Sequence, residues 1–196
     1  MRQLQLVLFD GPAIRAPAEA LLTAIPEDER PLRGDAGHLD WRLGGEISRL
    51  LVSGYLSGQR DEAVLIPGGA MLGADRVILI GVGRGVGLAG HNLQRAFRMV
   101  AGKLLGLRLE SCALAMPAAI QPALDADHLV WGLASGMANA VDGARLVVII
   151  PHGQQCGRAI ERAAGSQLDD ARARGVDIAL DWLVAETADV SASTPA

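Results

Sequence analysis

The stretch Asp75–Gly83 reads DRVILIGVG, and it decides the fold class of this chain. Its positions from Val77 to Ile80 are all apolar, so a strand formed here would be buried on both of its faces. A strand covered on both faces is typical of a parallel or mixed sheet that lies between two layers of helices. We therefore predict an interior strand over Arg76–Gly81 within an α/β domain.

The sequence on either side of this strand alternates between apolar runs of strand length and apolar stripes at helical spacing. The predicted strands are Leu4–Asp10, Glu62–Pro67, Arg76–Gly81, Leu109–Met116, Arg145–Ile150 and Val176–Trp182. The predicted helices are a stretch with Leu43, Ile47, Leu50 and Leu51 on one face, then Asn92–Gly106, Asp125–Ala140 and Cys156–Arg174. The segment Pro12–Gly37 carries four prolines and is predicted to be an irregular connection with one short helix.

This alternation predicts a three-layer α/β fold with a mixed, mostly parallel sheet of about six strands between helices. A length of 196 residues with 50% hydrophobic residues is enough for one domain with a proper core. We expect a single domain over residues 1–185. The tail 186–196, rich in Ala, Ser and Thr, is expected to be disordered.

Charge and hydropathy exclude several classes of partner. The net charge of −4 and the lack of a Lys/Arg cluster argue against nucleic acid, which binds through clustered basic residues. No apolar run approaches the length of a membrane helix, and no secretory signal is recognisable at the start. The two cysteines have no paired spacing, which suits a reducing compartment. The sequence therefore predicts a soluble, cytoplasmic protein.

A second stretch, Leu39–Leu51, reads LDWRLGGEISRLL. Together with Asp75–Gly83 it resembles the N-terminal domain of the leucyl aminopeptidase family, peptidase family M17. That resemblance implies a macro-like fold, with the metallopeptidase chemistry carried by a second, C-terminal domain. Because the chain stops at Ala196, about where the first domain would end, we expect a stand-alone domain without catalytic function.

No catalytic residue of that family can be carried over to this sequence. The family uses a two-metal site built from carboxylates and a lysine, a second lysine, and an Asn-Thr-Asp-Ala-Glu-Gly-Arg segment. Lys103 is the only lysine here, and the segment is absent. The four histidines are scattered without metal-ligand spacing, so no metal site and no cofactor are predicted. Cys156, which follows His152 near a helix start, is interpreted as a buried thiol and not as a nucleophile.

A glycine-rich turn, 81–90, reads GVGRGVGLAG between a strand and a helix. At such a turn, backbone amides and a helix N-terminus can hold a phosphate, and Arg84 adds a positive charge. The competing interpretation, which we favour, is that the glycines permit a tight turn and close packing. A dinucleotide fingerprint fits poorly, because the G-x-G-x-x-G register falls several residues past the strand.

Gly44-Gly45-Glu46-Ile47 is similar to the glycine-rich loop of ADP-ribose-binding macro domains, and Gly81–Gly83 falls roughly where their second phosphate loop would be. This chain lacks the Asn-Ala-Ala-Asn type strand of those domains and the aromatic residue inside their second loop. The candidate ligand-binding residues come from the two glycine-rich turns and are Gly44, Gly45, Gly81, Gly83, Arg84 and Gly85.

Three functions stay open at this point. The first is a non-catalytic binding or assembly module that forms a homo-oligomer or docks onto a partner protein. The second is a macro-type binder, or hydrolase, of ADP-ribose or another phosphorylated small molecule. The third is an accessory subunit of a separately encoded metallo-aminopeptidase.

Overall fold

The computed structural model describes residues 1–84, 90–115, 122–151 and 154–184. In chain order, these form β1 (Arg2–Asp10), a short 3-10 helix (Ala13–Arg15), β2 (Ala18–Pro26), α1 (Gly34–Arg42), α2 (Glu46–Val52), β3 (Ala63–Pro67), β4 (Ala74–Gly83), α3 (His91–Gly106), β5 (Ser111–Ala115), α4 (Pro122–Met137), β6 (Arg145–Pro151), α5 (Gln154–Ala173) and β7 (Val176–Val184). Gly85, His152, the predicted strand end at Met116 and the predicted disordered tail lie outside these residues.

The described strands form one sheet of seven strands in the order β3-β4-β2-β5-β6-β1-β7. β3 pairs antiparallel with β4, and every other neighbouring pair is parallel. The prediction of a mixed, mostly parallel sheet between helices is therefore confirmed. The sheet has one strand more than expected.

The additional strand is β2, which lies in the segment predicted to be irregular. That prediction was wrong: Ala18–Pro26 pairs with β4 on one side and with β5 on the other. The prolines misled the reading, because Pro17 precedes the strand and Pro26 ends it. A proline at a strand end removes no interior ladder hydrogen bond, so the run between the two prolines is free to pair.

A second correction concerns the helix predicted around Leu43–Leu51. The structure contains two helices here, α1 and α2, and the break falls at Gly44 and Gly45. Both glycines have positive φ, +64° and +80°, a backbone conformation that ends a right-handed helix and that glycine adopts without strain. Ile47 is nevertheless buried, as its place in the apolar stripe predicts.

The sheet separates two hydrophobic layers. Helices α3, α4 and α5 cover one face, and α1, α2 and the 3-10 helix cover the other. Alternate residues of an interior strand point to opposite faces, so Leu22 of β2 packs beneath α3 and α4 whereas Leu21 packs toward α1. The C-terminal end of β4 and the start of α3 lie side by side, and a pocket opens there.

Candidate functional site

A cavity of about 520 Å³ opens beside the C-terminal end of β4. Gly81 of β4 lies against it, as do Arg60 from the loop before β3 and Asn92 and Arg95 from the first turns of α3. The cavity continues along α3 to Arg98 and to Asn139 after α4. Its size is within the range of small-molecule sites in proteins. The structure therefore places one of the predicted site residues, Gly81, on the wall of a pocket.

The lining of this arginine-lined pocket is strongly cationic. Three arginines, Arg60, Arg95 and Arg98, line the cavity together with one acidic residue, Asp61. None of the three forms a salt bridge with a described residue. Lys103 adds a further positive charge nearby, because its ammonium donates a hydrogen bond of 3.3 Å to the backbone oxygen of Asp61. The concentration of positive charge is unusual in a chain whose net charge is −4.

The backbone amides of Gly81 and Gly83 already have partners inside the protein. Gly81 donates to the Glu62 carbonyl at 2.8 Å, and Gly83 donates to the Gly58 carbonyl at 2.9 Å. A Cβ on Gly81 would lie 2.0 Å from the Gln59 carbonyl oxygen, so only glycine lets the loop before β3 approach this closely. These contacts favour the packing interpretation of the two glycines, and they leave donors on side chains of the lining, those of the arginines and asparagines.

Arg84 follows β4 directly, and its side chain is exposed to solvent. Gly85, which was predicted to share a phosphate site with Arg84, lies outside the described residues. The anion-binding role of these two residues therefore stays a prediction.

Gly44 and Gly45 lie at the other end of the sheet from Gly81. They adjoin Leu43 and Glu46, which line a second cavity of about 430 Å³ with Pro67 at the end of β3. Because β3 pairs antiparallel with β4, the start of β3 is opposite Ile80, and Pro67 is opposite Arg76. Four residues of strand span about 13 Å. The structure thus does not bring the two predicted glycine turns together into one site.

The Gly44–Gly45 turn also has its amides engaged. Gly44 donates to the Trp41 carbonyl at 3.1 Å, and Gly45 donates to the Asp40 carbonyl at 2.8 Å. These bonds satisfy the carbonyl groups at the end of α1. The carboxylate of Asp40 in turn accepts from the backbone N–H of Ser48 in α2 at 3.0 Å. The turn is therefore built as a helix-to-helix connection.

Two histidines that the sequence placed far apart meet in the structure. The ring centroids of His91 and His128 are 5.9 Å apart, and the rings are inclined at 65°. His91 begins α3, and His128 lies in the second turn of α4. No local pattern signalled this pair, because its members come from different helices and are brought together only by the packing of α3 on α4.

Neither cysteine has the character of an activated nucleophile. Burial raises the pKa of the Cys112 thiol to about 12, and burial also raises the pKa of the half-buried Cys156 thiol. Both thiols are free. A thiol with a raised pKa is protonated at neutral pH and is a weak nucleophile. The favoured interpretation of Cys156 as a packing residue is therefore supported.

The part of the chain that the structure describes holds neither a group of three metal ligands nor a membrane-spanning helix. Within it, no three His, Cys, Asp or Glu side chains come close enough to share a metal ion. In the same residues, no helix has both the length and the apolar character that crossing a bilayer requires.

Comparison with known proteins places this fold and this sequence. Residues 22–137, more than half of the chain, match the cytosol aminopeptidase family, N-terminal domain. A probable cytosol aminopeptidase of Pseudomonas syringae pv. tomato is 30% identical over 97 residues, which cover 50% of this chain and 20% of that protein. The chain therefore spans about a fifth of the length of the relative that it matches.

Solved structures show the same fold at low sequence identity. A mutant of tomato leucine aminopeptidase is similar with a TM-score of 0.57 and 16% identity, over 84% of this chain and 37% of that one. The Trypanosoma brucei macrodomain in complex with ADP is similar with a TM-score of 0.62 and 15% identity, over 81% of this chain and 69% of that one. The Oceanobacillus iheyensis macrodomain with ADP gives a TM-score of 0.61 at 12% identity, over 83% and 92%.

The sequence match and the fold agree with the resemblance carried by Leu39–Leu51 and Asp75–Gly83. This chain has a seven-stranded, mostly parallel sheet between helices, and its fold is similar to that of the macrodomains. The chain belongs to the cytosol aminopeptidase family and corresponds to its N-terminal domain, which has a macrodomain-like fold here.

Proposed function

We propose that this domain is a non-catalytic binding module whose ligand is a phosphorylated small molecule held in the arginine-lined pocket. The observation that carries the proposal is the set of three arginines that line a cavity of about 520 Å³ and form no salt bridge with a described residue. Two macrodomains of similar fold were solved with ADP, a phosphorylated ligand. That likeness supports a phosphorylated ligand. The arginines of this chain's pocket support the pocket as the place where the ligand binds.

The chemistry of the lining suits an anion. A guanidinium presents donors in a planar fork that matches two phosphate oxygens, and such charge-assisted hydrogen bonds are about twice as strong as neutral ones. The amide side chains of Asn92 and Asn139 add neutral donors and acceptors along the same wall. The single carboxylate, Asp61, leaves the balance of charge positive.

Calorimetric titration of the purified protein with ADP-ribose, ADP and inorganic phosphate tests the proposal. Replacing Arg60 or Arg95 by Gln should weaken binding about 10- to 100-fold, since a hydrogen bond to a charged group contributes about 1.5–3 kcal/mol. Arg162→Gln is the matched control, because Arg162 is an exposed arginine on α5, away from the pocket. Arg84→Ala tests separately whether the predicted anchor beside β4 takes part.

Two results would contradict the proposal that a phosphorylated ligand binds in the arginine-lined pocket. One is the absence of saturable heat with all three probes. The other is undiminished binding by a variant that carries both Arg60→Gln and Arg95→Gln. A loss of affinity in Arg84→Ala alone, with the pocket variants unchanged, would move the anion site to the turn after β4.

Assembly with another protein is the second candidate. Three large apolar side chains on and after α1 and α2 are left in solvent: Trp41 is 73% exposed, Val52 is 89% exposed and Tyr55 is 69% exposed. Exposed apolar area of this kind is found at protein contacts. The proposed partners are a second copy of this chain or, as an accessory role, the catalytic chain of a metallo-aminopeptidase.

We also propose a cytosolic location, in keeping with the two free thiols and with the relative named a cytosol aminopeptidase.

Light scattering coupled to size exclusion distinguishes these partners. A dimer that dissociates when Trp41 and Tyr55 are both replaced by Ser would assign the exposed side chains to self-association. A monomer that also fails to bind a purified metallo-aminopeptidase catalytic chain would contradict assembly.

In the same preparation, a leucyl-amide reporter with Zn²⁺ or Mn²⁺ should show no turnover by this chain alone.

A further inference from the structure

We propose that His91 and His128 form a binding site for a divalent transition-metal ion such as Zn²⁺ or Ni²⁺. Neutral imidazole nitrogen is a preferred ligand of these ions. The two rings come from different helices and meet edge to face, with centroids 5.9 Å apart and an interplanar angle of 65°. The site shares no side chain with the arginine-lined pocket, so it stands apart from the proposed function.

The spacing of the rings fits one bridging ion. Zinc–nitrogen bonds are about 2.0–2.1 Å long, so two ring nitrogens on one tetrahedral ion lie about 3.4 Å apart. From the centroid separation we infer that side-chain rotation brings one nitrogen of each ring to that spacing. The Nε2 atom of His128 lies near the start of α3, 3.9 Å from the position that a Cβ on Gly90 would occupy. Because Gly90 directly precedes His91, this nitrogen lies close to the segment that carries His91.

The side-chain amide of Gln94 lies next to the His91 ring and bears on which ring nitrogen carries the proton. The Nδ1 atom of His91 lies 3.5 Å from Oε1 of Gln94 in the next turn of α3. If that carbonyl oxygen accepts the Nδ1 proton, the lone pair of His91 is on Nε2 and free for a metal. Metal-binding histidines in proteins usually donate their second ring N–H to an oxygen in this manner.

The scaffold under the two rings is closely packed. A Cβ on Gly132 of α4 would lie 2.6 Å from the Gln94 carbonyl oxygen, and one on Gly136 would lie 2.6 Å from the Ala101 Cβ. The helices therefore meet backbone to backbone just below the histidines, and their relative position is fixed without metal. No third His, Cys, Asp or Glu of the described residues joins the pair, so water or an added ligand completes the coordination.

Titration of the full chain with ZnCl₂ and with NiCl₂ at pH 7.5, followed by calorimetry, tests the site. We expect one saturable ion per chain. Affinity should fall at least tenfold in His91→Ala and in His128→Ala. His38→Ala is the matched control, because His38 is exposed on α1, on the opposite face of the sheet, and its loss should leave the affinity unchanged.

Imidazole NMR signals give a readout that a merely structural role would not move. The resonances of His91 and His128 should shift together with one equivalent of Zn²⁺, while those of His38 stay in place. If either alanine variant unfolds, His91→Gln and His128→Gln replace it, and circular dichroism verifies their fold. Affinity that is undiminished in His91→Ala or in His128→Ala, or no saturable binding by the unaltered chain, would overturn the proposal.

Discussion

Thr23 is a buried polar residue at the centre of the sheet. Its side chain is fully buried, and Oγ1 has no hydrogen-bond partner among the described residues. A buried hydroxyl without a partner costs about 1–3 kcal/mol in lost hydration. We expect Thr23→Val, which keeps the branched shape without the hydroxyl, to raise the free energy of unfolding by about 1 kcal/mol. Urea denaturation measures the change.

The control for this substitution is Thr23→Ser. It keeps the hydroxyl and removes the buried methyl group, so it should lower stability by about 1 kcal/mol. A valine variant that is less stable than the natural protein would mean that the hydroxyl has a partner in the folded chain.

Cys112 links stability to alkaline pH. Burial raises the pKa of its thiol from an ordinary value of 9.0 to about 12, and a backbone hydrogen bond from Leu22 opposes the rise only in part. Between pH 9 and pH 12, the unfolded chain loses this proton and the folded chain keeps it. Stability should therefore fall as pH rises through that window, by up to about 1.4 kcal/mol per pH unit.

The comparison that isolates this thiol is Cys112→Ala against the natural protein, with urea denaturation from pH 8.5 to pH 10.5. The alanine variant should start less stable but lose stability less steeply with pH. Cys156→Ala serves as the control, because Cys156 is only half-buried and its removal leaves the Cys112 effect in place. Equal slopes for the natural protein and Cys112→Ala would contradict the argument.

At the scale of elements, α3 and α4 are in close contact at two glycines of α4, Gly132 and Gly136. A Cβ on Gly136 would lie 2.6 Å from the Ala101 Cβ and 2.7 Å from the Arg98 carbonyl oxygen. Gly136→Ala should therefore force the helices apart and lower the free energy of unfolding by about 1–3 kcal/mol. Gly165→Ala in α5 is the matched change, since nothing lies within 4 Å of its Cβ position.

The matched variant should behave in the opposite sense. Alanine is a better helix former than glycine by about 0.5–1 kcal/mol, so Gly165→Ala should raise stability by about that amount. If both variants change stability in the same direction, the close approach of α3 and α4 is not what requires glycine at position 136.

The elements also show which parts of the fold the sequence predicts and which it does not. α3 and α5 were placed within about two residues at each end, because a long apolar stripe at helical spacing is a strong local signal. β2 was missed because prolines at its borders look the same as prolines that interrupt a strand. The break between α1 and α2 was missed because the apolar stripe continues across the two glycines.

The candidate site divides in a similar way. Gly81 was singled out as the first residue of a predicted glycine-rich turn; the structure instead has Gly81 within β4, where it lines the pocket. Arg60 and Arg95 were not singled out, because one lies in a loop and the other on a helix, and only the packing of β3, β4 and α3 brings them to one cavity. The same holds for His91 and His128. Side-chain clusters of this kind depend on tertiary contacts and leave no local pattern.

At the scale of the whole molecule, the two layers on the sheet are unequal. α3 buries Leu93, Phe97, Val100, Ala101 and Leu104, and α4 and α5 pack beside it in one continuous cluster. On the other face, α1 buries Ala36 and Leu39, and α2 buries Ile47 alone. Local opening costs less where less apolar surface is returned to water. The layer of α1 and α2 should therefore open before the layer of α3, α4 and α5.

Native-state hydrogen exchange at increasing urea concentration measures this difference. The interior amides of α1 and α2 should exchange with a lower free energy of opening, and with a weaker dependence on urea, than those of α3, because a small opening exposes little surface. The amides of α3 should follow the global unfolding transition. An identical free energy and urea dependence for both groups would mean that the two layers unfold together. In that case, the exposed Trp41 and Tyr55 would belong to a face as firmly held as the arginine-lined pocket, and a partner would dock there onto a rigid surface.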